Sequence, residues 1–178
     1  MNESMASLPV EDAAGKDAAA EQLLAQRATA NTTIKNYALM ALGAGLVPSP
    51  LVDSVAITAM EVKMIADLGR IYEFPVPHKL VALKVLISLA SSVGMIYLAI
   101  KFNSLVKLAP GVGHALHTSV MVVSSGAAVY AVGKIFQEYY ESGGFFLDKS
   151  DASLRRSFKE KYRDGMEIVP RWVAAQGA

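Results

Sequence analysis

No cysteine occurs anywhere in the 178 residues. That absence excludes disulfides, thiolate nucleophiles and cysteine-held metals, and it removes any clue to redox compartment. An excess of charge of either sign is also missing: 17 Lys and Arg face 16 Asp and Glu, a formal net charge of +1. A strongly basic nucleic-acid binder is therefore not expected, nor an acidic buffer. Enzyme signatures are absent too. The Pro110–Gly113 turn lacks the GxxxxGK[ST] of a phosphate loop, and no GxSxG surrounds Ser91, Ser92, Ser124 or Ser125. His114 and His117 are spaced to share a metal, but with His78 they make no ligand set, because no nearby carboxylate completes them. The chain is expected to be no enzyme and to hold no metal or cofactor. Its N-terminus, MNESMASLPVEDAAGKDAAAEQ, has no basic stretch followed by an apolar one, so it does not read as a secretory signal.

What is present is apolar residue, 53% of the chain against 19% charged, with mean hydropathy +0.34. The charge is unevenly spread. Lys and Arg collect in the connections and near the C-terminus, and the middle is almost neutral. That pattern predicts an all-α integral membrane protein with two transmembrane helices, at roughly 80–100 and 115–137, each about the 20 residues that a bilayer requires. Ser91, Ser92 and Gly94 in the first, and Ser124, Ser125, Gly126 and Gly133 in the second, give small faces suited to close helix packing.

Before these spans, residues 1–20 read as a disordered polar leader, too poor in large apolar side chains to offset the entropy of ordering. Residues 37–73 form two helical pieces broken at Pro48-Ser49-Pro50, since proline removes a donor and clashes with the preceding turn. A re-entrant or interfacial hairpin is expected there, with a soluble hairpin as the alternative. Asp53, Glu61 and Asp67 lie in its second arm. Asp53 is open to two readings: a carboxylate in a first helical turn, favoured by the helix dipole, or an intramembrane proton or cation site.

The membrane-embedded domain is taken as 21–148 and the cytoplasmic amphipathic tail as 149–178. Phe136, Tyr139, Tyr140, Phe145 and Phe146 resemble an interfacial aromatic belt. In the tail, Leu154, Phe158 and Tyr162 form an i, i+4, i+8 stripe on a charged helix. The positive charge of the tail against the short loop between the spans places both termini in the cytoplasm.

GLVPSPLVDSVAITAMEVKMIADLGRIYEFP (45–75), LAPGVG (108–113) and AVYAVGKIFQEYYESGGFFLD (128–148) resemble the YcjF-type bacterial membrane domain of unknown function, with similar order and spacing over residues 36–163. Gly45, Pro48, Pro50, Asp53, Gly111, Gly113, Glu141, Ser142, Gly143 and Gly144 carry the likeness. The resemblance implies a bacterial inner-membrane protein with a GTPase or an envelope-stress protein as its partner, because such domains are often fused to or found beside GTPases. It supplies no catalytic residues. The expected function is a scaffold that self-associates into a homo-oligomer in the lipid bilayer and recruits a partner through its tail. The alternatives are an oligomeric channel or transporter component with a polar site near Asp53, and a membrane-remodelling protein.

Overall fold

A computed structural model describes residues 8–44, 50–75, 113–144 and 151–176. Among these residues the structure is helical throughout: α1 (Leu8–Ala44), α2 (Pro50–Ile71), α3 (Gly113–Glu141) and α4 (Asp151–Gln176).

Helix α1 is rich in Ala and Leu, which lose little on entering a helix. It begins at Leu8, within the stretch read from sequence as unstructured. At about 1.5 Å per residue it is roughly 55 Å long. Only its second half joins the core, through Ala30, Ile34, Tyr37, Ala38 and Ala41. From Gly15 to Gln22 every residue is exposed, so this stretch projects as an arm. Helix α2 opens on Pro50, whose fixed φ and missing amide suit a first helical position. Its inward stripe is Glu61, Met64, Ile65 and Leu68.

Helix α3 is the axis, and the other three pack around it. It runs antiparallel to α1, since Arg27 meets Glu141 and Leu42 meets Gly126. It runs alongside α2 in the same direction, since Met64 lies against Gly133 and Tyr72 against Glu141. It is antiparallel to α4, where Val169 meets Gly126 and Lys161 meets Glu138. Helix α4 lays Leu154, Phe158, Tyr162 and Val169 on the core. Burying a ring the size of Phe158, which is fully enclosed, stabilises by about 1.5–3 kcal/mol.

The expected pair of transmembrane helices is corrected by this arrangement: among the described residues no helix is long and apolar enough to cross a membrane. The first expected span, 80–100, lies outside the described residues. The second is a helix, but it is the centre of a bundle. A helix that is apolar all round belongs either to a membrane or to the middle of a protein, and α3 has neighbours on three sides. Lys134 and Gln137 within it make hydrogen bonds to other side chains. With the crossings goes the argument that placed both termini in the cytoplasm. Of the Pro-broken hairpin, the described residues show its two arms, α1 and α2, packed on each other and on α3. The C-terminal helix does not hold its apolar stripe free for a partner, because that stripe is buried.

Candidate functional site

Helices α2 and α3 end side by side, and each ends in the same way. In α2, Phe74 N–H donates to Gly69 O at 2.9 Å and Glu73 N–H to Arg70 O at 3.2 Å. In α3, Gly144 N–H donates to Tyr139 O at 3.0 Å and Gly143 N–H to Tyr140 O at 3.1 Å. Both are Schellman caps, which turn the chain through a left-handed residue to satisfy the last carbonyls. Gly143 takes that conformation freely at φ 69°, whereas Glu73 takes it at φ 52° with a side chain attached, which costs about 1–2 kcal/mol. The Phe74 ring then lies across Gly144, where a Cβ would sit 2.7 Å from its Cζ, and against Tyr139 and Tyr140.

Above this double end runs a ladder of polar side chains. Glu141 accepts from Arg27 Nη2 at 2.9 Å, Tyr72 Oη at 2.8 Å and Gln137 Nε2 at 3.1 Å. Gln137 Oε1 accepts in turn from Lys134 Nζ at 2.9 Å, and Lys134 also donates to Asn31 Oδ1 at 2.5 Å. A carboxylate at a helix C-terminus faces the wrong end of the dipole. Burial pushes Glu141 up, but the hydrogen bonds from Arg27, Tyr72 and Gln137 and the Arg27 charge outweigh it, so its carboxyl lies below the usual range. The Tyr72 hydroxyl is pushed up to about 12 by burial and by donating to Glu141. Lys134 is lowered by burial and by the Lys161 charge nearby.

Two further polar contacts tie the helices. Tyr37 Oη donates to Asp67 Oδ2 at 2.7 Å, and Arg70 holds the other oxygen of Asp67 at 2.7 Å. The Ser124 and Tyr162 hydroxyls share a buried hydrogen bond of 2.7 Å between α3 and α4.

Glu61 is different. Its side chain stands in the apolar stripe of α2, 8% exposed, and burial alone raises its carboxyl to about 7. Neutral, it is tolerable there; ionised, it is costly. Helix spacing puts Glu61 between Ile57 and Met64, so its position is legible in the sequence, though not its isolation.

Of the residues singled out from the sequence, Glu141, Ser142, Gly143 and Gly144 come together as the α3 terminus. Ser142 Oγ donates to Tyr139 O at 2.9 Å. Ser124, Ser125, Gly126 and Gly133 are all buried within the chain. A Cβ at Gly126 would meet Ala38 O at 2.9 Å, and one at Gly133 would meet Ile34 Cγ1 at 2.8 Å. Pro50 and Gly113 begin α2 and α3. Gly45, Pro48, Ser91, Ser92, Gly94 and Gly111 lie outside the described residues, as does the side chain of Asp53. Among the described residues no three His, Asp or Glu side chains gather to hold a metal. Sequence reading missed Arg27, Asn31, Tyr72 and Gln137. Lys134, Gln137 and Glu141 on one face of α3 were the available signal, but their partners are supplied by other helices.

These features define a small all-α bundle in which the most concentrated polar groups serve the joining of helices. The chain belongs to the family described as "Domain of unknown function (DUF697)", matched over residues 11–164. It is 34% identical, over 175 residues, to magnetosome membrane protein 22 of Magnetospirillum gryphiswaldense, a match spanning 96% of this chain and 82% of that one. No solved structure matches it.

Proposed function

We propose that the chain is a membrane-associated, non-enzymatic scaffold of the bacterial inner membrane. The reading is carried by its 34% identity, across nearly its whole length, to a protein named for a magnetosome membrane. It is supported by the ladder of Arg27, Tyr72, Gln137 and Glu141, whose polar atoms satisfy one another and leave no nucleophile and base poised on a substrate. In this reading the apolar sequence Leu80–Ile100, with Lys84 its one charge, has the composition that suits lipid contact. Flotation of native membranes at low salt tests the association. The chain is expected to rise with the membranes; recovery in the soluble fraction overturns it.

A protein partner, either a second copy or the GTPase that the family resemblance implies, is assigned in the same proposal to the projecting arm of α1. Leu24 is 64% exposed there, and Gly15 to Gln22 are exposed as well. A photo-crosslinker at Leu24 is expected to trap an intermolecular adduct; labelling within the chain alone removes that part of the proposal.

A further inference from the structure

The outward side of α4 carries Arg155, Arg156, Lys159 and Arg163, all exposed. At 100° per residue they fall within one arc of the helix, with Arg155, Lys159 and Arg163 in a row at i, i+4 and i+8. None of them forms an ion pair among the described residues. The exposed carboxylates Glu160 and Glu167 flank the arc on one side. The half-buried Met166 and the 46% exposed Val173 lie along its other edge.

Among the described residues these cations serve neither the packing of the bundle nor an ion pair. Like charges at i, i+4 repel along the same face. The opposite face of α4 is already anchored on α3 by Leu154, Phe158 and Tyr162. The basic row thus faces outward with apolar side chains beside it. That is the chemistry of a surface helix lying on anionic headgroups.

We propose that this ridge is a binding surface for anionic phospholipid, orienting the bundle on the membrane with α4 toward the headgroups. The proposal rests on the membrane-associated reading above and adds the lipid class and the face that meets it.

The test measures binding of the full chain to extruded phosphatidylcholine vesicles and to the same vesicles containing phosphatidylglycerol. The wild type is expected to prefer the anionic vesicles by at least about tenfold, and to lose the preference as salt rises. The quadruple variant R155Q/R156Q/K159Q/R163Q is expected to bind both vesicles alike, at the wild type's level on neutral lipid. Circular dichroism verifies that it stays folded. A variant with lysine at the three arginine positions keeps the charge and is expected to keep the preference, which separates headgroup attraction from a lost fold. Equal wild-type binding to both vesicles overturns the ridge proposal but not membrane association, whereas failure to bind either vesicle overturns both. A wild type that ignores phosphatidylglycerol yet binds polyglutamate through these residues assigns the ridge to an acidic protein and overturns the lipid proposal.

Discussion

Replacing Glu61 with glutamine tests whether a carboxyl is held neutral inside the bundle. In the folded chain burial raises its pKa from 4.5 to about 7. Below pH 4.5 the group is protonated whether the chain is folded or not, and its contribution to stability is complete. As pH rises, the unfolded chain gives up the proton first, so stability falls steadily until the folded group also ionises near pH 7. At about 1.4 kcal/mol per pKa unit, the loss across that window is about 3 kcal/mol. Glutamine keeps the size and polarity but has no proton to lose. The variant should match wild type at pH 4 and exceed it by about 3 kcal/mol at pH 8. Chemical denaturation at intervals from pH 4 to pH 8, with ΔG extrapolated at each, measures the slope for both chains. Parallel curves for wild type and Glu61→Gln would refute the reasoning. Glu61→Met fills the site with an apolar side chain, and should be the more stable at every pH in the series.

Glu141 should show the opposite sign: its folded pKa is depressed, so its contribution is present above pH 4.5 and lost as pH falls below it, and Glu141→Gln should flatten the acid limb of the same titration. Gly165→Ala places a Cβ 2.9 Å from Ala127 Cα and 3.0 Å from Ala127 O. Backbone cannot yield there, and a loss of about 1–3 kcal/mol in thermal unfolding is expected. At Gly133 the nearest obstacles are the side chains of Ile34 and Met64, so Gly133→Ala should cost less than Gly165→Ala. Tyr162→Phe leaves the buried Ser124 hydroxyl without its partner and should destabilise by about 1–3 kcal/mol, while the double variant with Ser124→Ala should recover part of that loss in a double-mutant cycle.

The α3 terminus was legible because it is local. Glu-Ser-Gly-Gly at 141–144 ends a helix by glycine's freedom to turn left-handed, and a Schellman cap closes there. The α2 terminus is half legible: Phe74-Pro75-Val76-Pro77 is a stop signal in the sequence, but nothing there marks Glu73 for a left-handed turn. Glu141 was singled out for its motif alone. Its role as the acceptor for three helices depends on Arg27 and Tyr72, which are 114 and 69 residues away in the chain. No periodicity carries that information.

The transmembrane assignment failed at a point where two environments demand the same residues. Ser124 to Gln137 is small and apolar on nearly every side, which a bilayer requires and which three packed helices also require. Hydropathy measures the removal of water, not what replaces it. By itself the sequence determined the helical class, the turn residues, the stripe of α4 and membership of a recognisable family, because each depends on neighbours within a few turns. Only the tertiary structure decided that α3 is an axis and that Glu61 stands without a partner among the described residues. It also decided that the cations of α4 face outward while its rings face in. Those facts depend on which helix lies beside which, and they follow from side-chain packing between segments far apart in the chain.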